Sequence, residues 1–261
     1  MQQSSISAVF GALSNEVRLD IIANNLANVN TAGYKADKVS FQDVFQRMAS
    51  DFNPDARNDL TQKNLLPAPL VLAKPRLAKQ TIDMTQGTLE PTGNPFDMAI
   101  SGPGFFRVQT PNGQFLTRNG QFYRNNQGNL VTNQGYQVLG QSGPIEVPDG
   151  KTVTVTSGGQ LMVDNQIAGV IDVVDVADPT QLQKYGQSLF TGPKGAQPAT
   201  RPMDPTKTTL NQGFLEKPNV DVVTEMVNMI DTQHSYEAYS KIISSTQDMD
   251  SSVTTKVGQT A

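Results

Sequence analysis

Leu19-Asp20-Ile21-Ile22-Ala23-Asn24-Asn25-Leu26-Ala27-Asn28-Val29-Asn30-Thr31-Ala32-Gly33-Tyr34-Lys35 joins a helical hydrophobic period to a run of asparagines and ends on a glycine turn. Counting back from it, Ile6, Phe10, Leu13, Val17, Asp20 and Asn24 recur at steps of four and three, a stripe made to face a partner helix. A second stripe, Leu19, Ile22, Leu26 and Val29, lies on a neighbouring face. One partner cannot cover both faces, and the next fifty residues offer no helical mate. The spacing predicts a helix over residues 4–30, capped by Ser4 or Ser5 and ended by Gly33. Asn24, Asn25, Asn28 and Asn30 cost that helix about 2 kcal/mol relative to alanine. Amide bonds across helices or between subunits are expected to recover this cost.

The expected mate lies at the other end of the chain. Val222, Met226, Met229, Gln233, Tyr236, Ser240, Ile243 and Gln247 repeat at the same spacing, flanked by Val223, Val227 and Ile230. Asn24 and Gln233 on the seam would weaken the contact but fix its register.

Between residues 81 and 200 short apolar runs alternate with turn signals. Phe105-Phe106-Arg107-Val108 is followed by Pro111-Asn112-Gly113 and Phe115-Leu116-Thr117, a hairpin signature. Gly102 and Gly104 mark a further turn. Val153 to Thr156, Leu161 to Val163 and Val170 to Val174 continue the pattern. The reading is α+β: N- and C-terminal helices paired as a coiled-coil-like core, with a central, mainly antiparallel β domain, a small barrel or sandwich. Its parts are an N-terminal helix (1–35), an extended connector (36–80), the β domain (81–205) and a C-terminal helix (206–261). Pro67, Pro69 and Pro75 make the connector a strap, and its leucines lay it against protein. The Gly- and Pro-rich residues 185–205 are expected to return the chain to the helices.

Composition excludes several classes. The 261 residues carry a net charge of −4 with no Lys/Arg cluster, which argues against a nucleic-acid partner. No apolar run reaches membrane-span length, and the N-terminus has no signal-peptide pattern. Zero Cys removes disulfides and thiolate metal sites. His234 is the only histidine and is read as a surface or seam residue, so no imidazole triad can form. No phosphate loop, dinucleotide fingerprint or calcium loop occurs. The expectation is a non-enzyme with no catalytic, cofactor or metal residues.

The motif of residues 19–35 resembles the N-terminal signature of bacterial flagellar rod and hook axial proteins. Met226-Val227-Asn228-Met229-Ile230 with Gln233, Tyr236, Glu237 and Lys241 is similar to their C-terminal signature, with His234 standing where they commonly carry arginine. Between these, Gln86-Gly87-x-Leu89, the run from Thr92 to Phe106 and Thr117-Arg118-x-Gly120 look like patterns of the single-domain rod subunits. The segment from Val138 to Pro148 looks more like the proximal-rod (FlgF) branch than the distal-rod (FlgG) branch. The resemblance implies a structural rod subunit in the periplasm, exported through the flagellum's own channel without a cleaved signal. Its implied partners are copies of itself, other rod subunits and the export apparatus. The expected assembly interface is Phe10, Leu13, Val17, Leu19, Asp20, Ile22, Asn24, Asn25, Leu26, Asn28, Val29, Met226, Met229, Ile230, Gln233, Tyr236 and Ile243. The competing reading is an extracytoplasmic glycan- or peptide-binding module dimerised by its helices. A cleft lined by Phe96, Phe105, Phe106 and Tyr123 would favour it.

Overall fold

The computed structural model describes residues 2–47, 71–148 and 152–258. Two long helices flank a β-rich middle: α1 spans Gln2–Ala27 and α2 spans Val222–Gly258. α1 is helical from Gln2, ahead of the serines expected to cap it. It ends at Ala27, with residues 28–30 in turns, because Gly33 at φ +68° reverses the chain. α2 has a side-chain cap: the Thr224 amide donates to Asp221 Oδ1 at 2.8 Å, satisfying one orphan N–H of the first turn. Among the described residues no helix is long and apolar enough to cross a membrane.

The chain divides into two compact units. One holds α1 as far as Ala23, α2 from Met226, and the described residues between Val39 and Gln80. The connector's described parts form a two-stranded sheet, Asp37–Arg47 with Val71–Ile82, so Pro75 lies in a strand of a pair with no third neighbour among the described residues. Pro67 and Pro69 lie outside the described residues.

The other unit takes in Asn24–Lys38 and Thr81–Glu225. Its central strand, Phe105–Thr110, pairs antiparallel with Gly113–Thr117, Gln137–Gly140 and Val173–Val176. Thr110 stands opposite Gly113, so Pro111 and Asn112 form the turn and the hairpin signature folds as written. The pairing path runs from Gln183–Tyr185 through these strands to Phe122–Arg124 and is open at both ends, so the ladder does not close into a barrel. Residues 185–205 contribute Leu189–Thr191 and Thr200–Pro202 to the same sheet; they are structural members rather than a return loop.

Alternation along the central strand builds two cores, because successive side chains point to opposite faces. Phe106 and Val108 face a cluster with Met98, Phe122, Leu130 and Leu161, and the Phe106 and Phe122 rings meet edge to face at 5.0 Å. Phe105 faces the other way, with Leu116, Val174 and Phe190. Two strand pairs then bring the C-terminal stretch back: Thr209–Gln212 against Met98–Ser101, and Phe214–Glu216 against Leu89–Pro91. The second pair delivers Glu216 into the interior.

Candidate assembly surfaces and the exit-loop clasp

The asparagine-rich end of α1 is held by its own chain. The Tyr34 hydroxyl shares its one proton between Asn24 Oδ1 at 2.9 Å and Asn25 Oδ1 at 3.0 Å. Asn25 Oδ1 also accepts from the Asp37 amide at 2.9 Å, while Asn25 Nδ2 donates to the Asp37 carbonyl at 3.0 Å. Asn28 Nδ2 donates to the Asn24 carbonyl at 2.9 Å, and Thr31 donates to Asn28 Oδ1. Within the chain, Asn24, Asn25 and Asn28 thus find partners in their own last turn and in the loop that follows it. The reason is geometric: an asparagine reaches a nearby backbone more readily than a distant helix, and the loop that doubles back at Gly33 supplies that backbone. Burial, reinforced by Asp37, pushes the Tyr34 hydroxyl pKa above its ordinary range, so it stays a donor. Lys184 Nζ lies 3.9 Å over the Tyr34 ring and pairs with Asp37 at 2.6 Å.

Next to Tyr34, Lys35 enters a buried ionic triad. Lys35 Nζ donates to Glu216 Oε1 at 2.6 Å and to the Thr85 carbonyl at 2.7 Å. Glu216 Oε1 also accepts from the Gly87 amide, and Oε2 from Arg118 Nη1 at 3.3 Å. Side-chain exposure is 1% for Lys35 and Glu216 and 5% for Arg118. Burial pushes the pKa values of both cations down, with Glu216 pulling against it. Gly33 completes the junction: its amide donates to the Glu216 carbonyl at 2.8 Å. A Cβ there would lie 2.3 Å from the backbone between Arg118 and Asn119. Gly102 and Gly104 also have positive φ, +102° and +142°, and the Gly102 carbonyl accepts from Arg118 Nη2.

The helices each pack along one stripe. From Met226 to Met249 the less exposed positions of α2 are Met229, Thr232, Tyr236, Tyr239, Ile243 and Thr246, a three-four repeat. This seam shares Met229, Tyr236 and Ile243 with the expected one but takes Thr232, Tyr239 and Thr246 in place of Gln233, Ser240 and Gln247, which are exposed. Both threonines donate their hydroxyls to the carbonyl four residues back, so burial leaves no polar atom unpaired and presents a methyl group. Tyr239 lies against Gly11, where a Cβ would sit 2.6 Å from the ring. Gly11 and Tyr239 were absent from the expected interface; a glycine inside a helical pattern was the signal for that close approach.

On α1, Ile22 is buried and Phe10, Val17, Leu19, Leu26 and Val29 are half-buried, whereas Leu13, Asp20 and Asn24 lie exposed. Asn25 and Asn28 are buried. On α1 Leu13 is 50% exposed and Ile6 and Val9 are 42% exposed; on α2 Met226 is 49% and Ile230 54% exposed, with Val223 and Val227 exposed alongside. Each helix therefore has one covered stripe and one bare apolar stripe. Sequence reading missed Arg118 and Glu216; their signal was a single charge within an apolar run, in Phe115-Leu116-Thr117-Arg118 and Phe214-Leu215-Glu216.

Phe105 and Phe106 belong to opposite cores and Phe96 packs on one of them, leaving Tyr123 exposed without them. These four aromatics form no cleft. Among the described residues no group of three His, Cys, Asp or Glu could hold a metal ion.

Three family descriptions match the chain: "Flagella basal body rod protein" over residues 10–35, "Flagellar hook protein FlgE/F/G D1 domain" over 99–163, and "Flagellar basal body rod FlgEFG protein C-terminal" over 211–256. The flagellar basal-body rod protein FlgG of Bacillus subtilis is 34% identical over 260 residues, covering 95% of this chain and 97% of the relative. The chain belongs to the flagellar basal-body rod protein family. FlgG of Agrobacterium fabrum is 34% identical, covering 94% and 96% of the two chains, and FlgF of Mesorhizobium japonicum 30%, covering 91% and 90%. Both rod branches therefore match at similar identity. The rod-family match over residues 10–35 includes Asn24, Asn25, Asn28, Tyr34 and Lys35, and the C-terminal match includes Glu216, so the two matched ends meet in the triad.

Proposed function

We propose that this rod-family chain is a self-assembling structural subunit of the flagellar rod, exported through the flagellum's own channel and polymerising in the periplasm through its terminal helices. The observation that carries the proposal is the bare apolar stripe on each helix, Ile6, Val9 and Leu13 on α1 and Met226, Val227 and Ile230 on α2. Copies of this chain and related rod subunits cover those stripes. A heterologous contact repeated by rotation and translation gives an open filament, the geometry of a shaft. The clasped asparagines Asn25 and Asn28 act from inside, fixing the chain where it leaves α1. The finer placement, in the proximal rod, rests on the resemblance of residues 138–148, while relatives of both branches match at 30–34%.

The test is Leu13→Asp and Ile230→Asp in the producing bacterium, with Ser235→Asp on the exposed polar surface as control. The first two are expected to leave the fold intact by circular dichroism but abolish incorporation and motility, since each buries a charge in an apolar contact at several kcal/mol. Motile cells with normal rods would refute the reading. Deleting the gene places the subunit: loss of everything beyond the innermost rod assigns the proximal segment, and survival of a proximal rod assigns the distal one.

A further inference from the structure

The chain has nine methionines and no cysteine, so thioethers are its only oxidisable sulfur. The described methionines differ widely in access. Met98 is 0% exposed at the centre of the larger core, and Met84, Met162, Met203 and Met229 are half-buried. Met226 and Met249 are the exposed pair, at 49% and 50%. Only Met226 has Val223, Val227 and Ile230 around it, one turn away on either side or adjacent in sequence. Met249 lies 23 residues further on, roughly 140° around the helix from Met226 at 3.6 residues per turn.

We propose that Met226 is an oxidation site that controls whether the free subunit can join the rod. The inference rests on the assembly reading above and adds a chemical control to it. A peroxide is the oxidant: a sulfur lone pair of Met226 attacks one peroxide oxygen, the O–O bond breaks, and an S–O bond forms. The second oxygen leaves as hydroxide, or as alkoxide from an alkyl peroxide, and takes the one proton that the transferred oxygen gives up, forming water or an alcohol. Sulfur is oxidised by two electrons and the peroxide reduced by two. The product sulfoxide is polar and chiral where the thioether was apolar and adaptable. On the bare stripe of the free subunit it is well solvated, but inside a subunit contact it meets Val and Ile side chains that cannot donate to it. Oxidation therefore penalises assembly and leaves the fold untouched, and enzymatic sulfoxide reduction reverses it.

The experiment treats full-length protein with hydrogen peroxide, maps sulfoxides by peptide mass spectrometry, and measures incorporation into assemblies of the same protein. Wild type, Met226→Leu and Met249→Leu are compared, leucine being close in volume to methionine. Expected are oxidation of Met226 and Met249 well ahead of Met98, and a roughly tenfold loss of incorporation by oxidised wild type and oxidised Met249→Leu, equivalent to about 1.4 kcal/mol. Oxidised Met226→Leu keeps its incorporation. The inference is overturned if Met226 oxidises no faster than Met98, if oxidised wild type incorporates normally, or if oxidised Met226→Leu loses as much as wild type. Untreated wild type that fails to incorporate overturns the assembly reading itself.

Discussion

Replacing Glu216 with glutamine removes one negative charge from the interior of the β unit and almost no volume. The amide oxygen can still accept from Gly87 N–H, but Lys35 and Arg118 lose their counter-charge at 1% and 5% side-chain exposure. The attraction that offset their desolvation goes while the desolvation stays, which costs about 3–5 kcal/mol when one partner of a buried pair is removed. At roughly 2–3 kcal/mol per molar urea, the midpoint should fall by roughly 1–2 M. Urea unfolding followed by circular dichroism measures this without added ionic strength. Lys35→Met should cost less, because Glu216 keeps Arg118 as a partner. In Glu216→Gln/Lys35→Met one stranded cation is gone, so the double variant should be more stable than the sum of the singles by about 0.5–3 kcal/mol. A Glu216→Gln midpoint indistinguishable from wild type, or strictly additive losses, would refute the triad as the electrostatic centre of the unit.

Two further outcomes separate local causes. Gly33→Ala should destabilise by about 2–4 kcal/mol, since it adds a backbone clash to a left-handed φ, whereas Gly93→Ala, at φ +74° with open space around it, should cost about 1 kcal/mol; equal losses in thermal unfolding would remove the packing role of Gly33. Burial raises the Asp83 pKa, but hydrogen bonds from Lys38 and the Thr85 amide outweigh it and bring it below the ordinary 3.8. Its stabilisation is therefore present above pH 3.8 and is lost as pH falls through the lower folded value. A stability–pH curve of Asp83→Asn should be flatter in that acid window, and one parallel to wild type would count against the assignment.

The helices were legible from three-four spacing because that period is a backbone property, and the hairpin at Pro111-Asn112-Gly113 because turn chemistry is local. The seam on α2 was read one position off at Gln233, Ser240 and Gln247. Spacing there fits two adjacent stripes, and the choice falls to Thr232, Tyr239 and Thr246, whose hydroxyl bonds and ring contact are invisible in a hydropathy pattern. The asparagines of α1 were seen to need partners, but their partners depend on where the loop after Gly33 returns. Arg118 and Glu216 were illegible for a related reason. A lone charge in an apolar run shows that something is unusual, while the identity of its partner is set by strand pairing 98 residues away in sequence.

The bond between Lys35 and Glu216 spans 181 residues. A chain emerging from its amino end carries Lys35 unmatched until more than four-fifths of the molecule has been made. Strand Phe214–Glu216 then closes the unit and the cap at Asp221 starts the second helix only five residues later. Completion of the β unit is thus a late event, and a chain cut short before that strand holds a lysine with no counter-ion and no seeded second helix. Both the counter-ion of Lys35 and the start of the second helix therefore wait on the same short stretch of chain.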